Sequence, residues 1–183
     1  MRSQRIYWIT IIAFLSILAP WWTCSGAEIT LNDTPVKVCF SPNNGCGRAI
    51  VYEINNAKSQ ILLQAYSFTS KAIAKALLAA HKRGVKVEVI IDRNQLLEKY
   101  NSATFLANSG LPVFMDGDHA TAHDKIMIID GKTVITGSFN FTNAAEYKNA
   151  ENLLIIKSDE LAKIYTGNWN KHLEHSIQFG PRY

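Results

Sequence analysis

Apolar residues fall in short blocks along this chain, and the spacing inside each block separates strands from helices. Gln60 to Tyr66 and Lys125 to Asp130 are near-continuous apolar runs of strand length, as strands covered on both faces require. Lys86 to Ile91 alternates polar and apolar residues, while Val36 to Phe40, Pro112 to Met115, Thr133 to Thr136 and Glu151 to Ile156 read as further short strands. Arg48 to Ala57, Lys71 to Arg83 and Leu161 to Glu174 read as helices, the second capped by Ser70 and stopped by Gly84. Gln95 to Ser109 is also read as helical, with a break near Asn101-Ser102. The recurrent β-α-β order predicts an α/β fold, a mixed β-sheet flanked by helices on both faces with its site at strand ends. A chain of 183 residues, 48% of them hydrophobic, supports one well-formed core but not two full-sized domains.

The N-terminus departs from this pattern. Met1 to Arg5 is basic, Ile6 to Trp22 is strongly apolar, and Ser25-Gly26-Ala27 supplies small residues before a cut, so residues 1–27 read as a secretory signal peptide. Residues 28–183 are then the mature domain, periplasmic or secreted; an uncleaved membrane anchor is the alternative. Once the leader is removed, Cys39 and Cys46 remain. Turn-forming residues lie between them, so a disulfide in an oxidising compartment and a pair of buried thiols are both open readings.

Charge adds little. The formal net charge is +4, and loss of Arg2 and Arg5 leaves 17 basic against 15 acidic residues. That balance is too mild to argue a nucleic-acid partner, so any pull on phosphate must be local, from Lys125 with Lys71, Lys132 and Lys148 as further candidates.

The chemistry concentrates in His123 to Asn140, HDKIMIIDGKTVITGSFN. Lys125 to Asp130 and Thr133 to Thr136 form a hairpin around Asp130-Gly131-Lys132. Residues two apart on a strand share a face, so His123 and Lys125 point the same way, and the returning strand brings Ser138 and Asn140 beside them. A phosphodiester is anionic and repels nucleophiles. Its cleavage calls for a cation and polar donors on the non-bridging oxygens and a nucleophile in line with the leaving oxygen. Lys125, Ser138 and Asn140 suit the first task. A neutral His123 suits the second, through a phosphohistidine that water later breaks, with no metal in the scheme.

The pattern His123-x-Lys125-x4-Asp130-Gly131, then Gly137-Ser138-x-Asn140 and Glu151, resembles the HKD motif of the phospholipase D superfamily, and most resembles its small, single-motif bacterial endonucleases of the Nuc type. The likeness extends over about residues 36 to 175. It implies a phospholipase D-like fold, catalytic His123, Lys125 and Glu151, phosphate binding by Lys125, Ser138 and Asn140, structural roles for Asp130, Gly131 and Gly137, and neither cofactor nor metal. Glu151, by its position, is expected to orient the imidazole. An in-line displacement also needs a general acid on the far side of the phosphorus. Larger members of the superfamily carry two motifs and this chain has one, which implies a homodimer with its active site at the interface.

Three functions fit these residues. The first is an exported nuclease without sequence preference, favoured by the likeness to short single-motif nucleases. The second is a phospholipase D that hydrolyses phosphatidylcholine-type lipids to phosphatidic acid and free headgroup. The third is an exported binding module with a silent site, against which the intact residue set argues. One rival chemistry lies just upstream, where His119 and His123 stand four apart beside Asp116 and Asp118, a set capable of holding zinc. It is set aside because the segment lacks helical periodicity and His123 belongs to the fuller constellation. His172, His175 and Trp169 on the last helix read as packing residues.

Overall fold

A computed structural model describes residues 26–97 and 101–180. The signal-peptide reading therefore falls almost wholly outside the described residues, as does 98–100 within the helix expected over Gln95 to Ser109. No helix among the described residues is long and apolar enough to cross a membrane.

The apolar runs become eight strands of one sheet: β1 (Val36–Ser41), β2 (Gln60–Ala65), β3 (Lys86–Asp92), β4 (Val113–Asp116), β5 (Lys125–Ile129), β6 (Thr133–Gly137), β7 (Glu151–Lys157) and β8 (Ile177–Gln178), ordered β1-β7-β6-β5-β2-β3-β4-β8. The sheet is mixed. β2, β3 and β4 run parallel, and all other pairs are antiparallel. Five helices among the described residues pack on it: α1 (Cys46–Asn56), α2 (Lys71–Lys82), α3 (Ser102–Asn108), α4 (Asn143–Tyr147) and α5 (Asp159–His175).

Strand alternation divides the core in two. Ile61 and Leu63 of β2, Val87, Val89 and Ile91 of β3 and Met127 of β5 face α1, α2 and α3, whereas Leu62, Ile90, Ile126, Ile128 and Val134 face α5. Burying each such aliphatic side chain contributes about 1.5–3 kcal/mol, which makes this two-sided layering the main source of stability. On the α5 side the anchor is Trp169, 2% exposed, whose indole N–H donates to the Leu63 carbonyl at 3.2 Å.

Helix ends follow local chemistry. Ser70 caps α2 by accepting from the Ile73 N–H, and Gly84 ends it at φ 90°, with the Gly84 N–H bonded to the His81 carbonyl and the Val85 N–H to Ala80. Arg83 then donates to the Ile54 and Asn55 carbonyls at the end of α1, fastening the two helices together. The break expected near Asn101 is real: a 3₁₀ turn spans Arg93–Leu97, and Asn101 caps α3 through the Thr104 N–H at 2.8 Å. Two elements escape a pattern reading. α4 has five residues and β8 two, too few for a periodicity to register. Cys39 and Cys46 are joined by a disulfide that ties β1 to the start of α1.

Candidate active site

The β5–β6 hairpin turns on Asp130 (φ 55°) and Gly131 (φ 63°), both left-handed as this tight connection requires. Asp130 does more than turn the chain. Its carboxylate accepts from the backbone N–H groups of Lys58, Ser59 and Gln60 at 2.9, 2.7 and 3.0 Å and from the Ser59 hydroxyl at 2.9 Å. Burial alone would raise its pKa, but these donors hold it below the ordinary carboxylate range. Asp130 thus clamps the loop entering β2 to the far end of the hairpin, remote from the reacting groups.

At the other end stand His123 and Lys125, the groups the motif marks as catalytic. The register that pairs Met127 with Ile135, continued by two pairs, sets Gly137 opposite Lys125. Lys125 is 7% exposed; its ammonium donates to the His123 carbonyl at 2.7 Å and lies 3.0 Å from the His123 Nδ1. An ammonium has only donors, so this contact aims one of them at the imidazole. Burial pushes the Lys125 pKa down, opposed by the carboxylates of Asp124 and Glu151. His123 itself is exposed, on a pocket of about 390 Å³ lined also by Lys125, Thr136, Gly137, Tyr165 and Asn168.

Tyr66, which the sequence places at the end of a buried strand without assigning it a role, stands at this site. Its ring lies 4.4 Å from the His123 imidazole and 4.9 Å from the Lys125 ammonium, a cation–π distance, because the Tyr66 N–H bonds to the Asp124 carbonyl. The signal available was its place at the end of a buried strand. Phe68, two residues on, is fully buried edge-on against Phe141 and is a core residue.

Glu151 and Ser138 come together, in an arrangement the motif did not suggest. The Ser138 hydroxyl donates to Glu151 Oε2 at 2.6 Å and accepts from the Asn152 N–H at 3.1 Å, while Glu151 Oε1 accepts from Asn149 at 3.0 Å. Within one chain Glu151 therefore meets Ser138 instead of the imidazole. Gly137 pairs with Leu153, so the residues after and before them are cross-strand neighbours, while His123 precedes β5 beyond Lys125. Ser138 can offer its proton to a phosphate only by exchanging that bond. Asn140 keeps a buried Oδ1 without a hydrogen-bond partner, as does Gln64 through its Oε1.

Upstream, His119 and His123 do not converge. His123 turns to Tyr66 and Lys125, whereas His119 joins Asp116, which also receives His172 and His175 from α5. Between them, the Ala122 N–H donates to Asp92 Oδ2 at 2.7 Å, pinning the loop that delivers His123.

Residues 50–173 match the family described as cardiolipin synthase, PLD-like domain. A phospholipase D of Rickettsia conorii is 43% identical over 139 residues, 76% of this chain and 70% of that protein. A mitochondrial cardiolipin hydrolase of Xenopus laevis is 30% identical over 155 residues, 81% of this chain and 74% of that protein. The crystal structure of Nuc from Salmonella typhimurium, a phospholipase D family member, superposes with a TM-score of 0.78 at 38% identity, covering 81% of this chain and 99% of Nuc.

Proposed function

The chain belongs to the phospholipase D-like family and is a phosphodiester hydrolase, and from its single site we propose that it is an endonuclease acting on DNA or RNA without sequence preference. The observation that carries this reading is the pairing of a buried cation with an exposed imidazole: Lys125 sits at the wall of an open pocket whose rim presents His123. Such a pocket accepts a phosphate and one neighbouring group and leaves the rest of a polymer to lie along the surface. The match to Nuc over nearly its whole length supports the same choice.

In this reading a neutral His123 attacks phosphorus, the bond to the leaving oxygen breaks, and a phosphohistidine forms. Lys125 neutralises the non-bridging oxygens, with Asn140 as a further donor and Ser138 available once its bond to Glu151 is exchanged. The leaving oxygen takes a proton from the His123 of a second copy, which then removes a proton from the water that hydrolyses the phosphohistidine. The working unit is therefore a homodimer that sets one copy of His123 on each side of the phosphorus. Export to the periplasm or beyond accords with the Cys39–Cys46 disulfide.

A phospholipid substrate is the second reading. Ile164, 37% exposed on the pocket lining, offers an apolar rim, and the Rickettsia relatives bear the name phospholipase D.

The test incubates the purified protein, in excess chelator, with plasmid DNA and separately with phosphatidylcholine vesicles, beside the His123→Ala variant. Nicking that disappears in the variant is the expected result. Choline release without nicking transfers the assignment to the lipid reading, and near wild-type turnover by His123→Ala overturns the mechanism. Light scattering at assay concentration is expected to report a dimer; an active monomer would refute the shared site.

A further inference from the structure

Beside the hydrolytic site, where α5 packs over the end of β4, four ligand-bearing side chains converge, none of them used by the reaction. Asp116 ends β4 and is fully buried. Its Oδ2 lies 2.7 Å from His172 Nδ1, 3.1 Å from His119 Nδ1 and 3.3 Å from His175 Nε2, and all four candidate ligand atoms fall within 4.8 Å of one another. We propose that Asp116, His119, His172 and His175 form a tetrahedral zinc site that fastens α5 to β4 and to the loop leading into His123.

The geometry is close to what zinc needs. Bonds of about 2.0–2.1 Å in a tetrahedron set neighbouring ligand atoms about 3.3 Å apart, and the three oxygen-to-nitrogen distances approach that edge. Four protein ligands close the coordination sphere, the arrangement of a structural site with no open position for substrate. The sequence pattern agrees: the ligands form two pairs, each separated by two residues, one on the β4 loop and one on the last turn of α5.

A hydrogen-bonded hub alone explains the cluster poorly. One buried carboxylate is satisfied by the N–H groups of Asp118 and His119 together with a single imidazole, whereas here three rings crowd it with centroids 4.9 to 5.4 Å apart. The rings are tilted or edge-on to one another, each with a nitrogen turned toward the same carboxylate. A divalent cation at that point uses the lone pair on each ring. A supporting carboxylate also stands nearby: His172 turns its other nitrogen, Nε2, toward Asp124 Oδ2, 3.9 Å away and just beyond hydrogen-bond reach, and Asp124 is held by the Gln64 amide at 3.0 Å. A carboxylate on the far nitrogen of a metal-bound histidine fixes its tautomer and orientation. Since Asp124 lies between His123 and Lys125, the metal would brace the catalytic segment while taking no part in the displacement.

The untagged protein, treated with chelator and dialysed, is titrated with Zn²⁺ and, in parallel, with Co²⁺ as a spectroscopic probe. We expect one zinc per chain, a tetrahedral Co²⁺ absorption band, and a rise in Tm of about 5–10 °C at a hundredfold excess of zinc over its Kd. His119→Gln and His175→Gln, the two ligands with the most solvent exposure, should each weaken zinc binding at least tenfold and abolish the cobalt band. Substoichiometric zinc in the wild type, an octahedral cobalt spectrum, or undiminished binding in both variants would overturn the site. Should either variant fail to fold, the wild-type stoichiometry and cobalt spectrum decide alone. None of these readouts depends on which phosphodiester the protein cleaves.

Discussion

Gly137 and Gly131 belong to the same motif, yet replacing each by alanine should have very different consequences. At Gly131 (φ 63°) an added Cβ meets nothing within 4 Å, so the cost is the left-handed backbone alone, about 1–2 kcal/mol. At Gly137 (φ 145°) the Cβ would stand 3.0 Å from the Asn152 carbonyl carbon and closer still to its oxygen. That oxygen accepts from the N–H groups of both Ser138 and Phe139, at 3.1 and 3.2 Å. Moving β7 away to make room weakens two hydrogen bonds worth about 1 kcal/mol each, beyond a backbone strain of about 1–3 kcal/mol. The expected cost of Gly137→Ala is therefore about 3–5 kcal/mol, with a Tm roughly 4–12 °C below that of Gly131→Ala. Urea denaturation followed by circular dichroism measures both. Activity should fall with stability in the Gly137 variant, because Ser138 and Glu151 ride on the displaced strands. Equal destabilisation by the two substitutions, within about 0.5 kcal/mol, would refute the close-approach argument.

Two further perturbations separate structure from chemistry. Asp130→Asn should leave the active site assembled but cost about 1–2 kcal/mol through weakened charge-assisted bonds to residues 58–60. Because the folded-state pKa of Asp130 is depressed, its stabilisation is complete above the unfolded value of about 3.9 and fades as pH falls through the folded value. The gap between wild type and variant should be constant near neutrality and narrow toward pH 3; an undiminished gap there would show that shape, not charge, matters. Lys125→Met should abolish turnover yet unfold within about 1 kcal/mol of wild type, or above it. A lysine whose pKa is lowered by burial costs stability at every pH below its folded value, a cost methionine does not carry. Loss of several degrees in Tm would mean that the Lys125 clamp on the His123 carbonyl outweighs its desolvation.

Most of the sheet could be read along the chain because its strands are buried, and burial writes itself into runs such as Gln60 to Ala65 and Lys125 to Ile129. The His123–Lys125 pair and the hairpin turn were legible for the same local reason: a two-residue strand period and an Asp-Gly turn determine which side chains meet. The sequence by itself therefore determined the layered α/β core and the convergence of His123 with Lys125. Only the tertiary structure decided the partners supplied by distant segments. Tyr66 reaches His123 through the β2–β5 pairing, Glu151 takes Ser138 across β6 and β7, and His172 and His175 find Asp116 because α5 packs back over the sheet. No periodicity encodes such meetings, since they depend on strand order and helix placement set by the burial of the whole apolar surface.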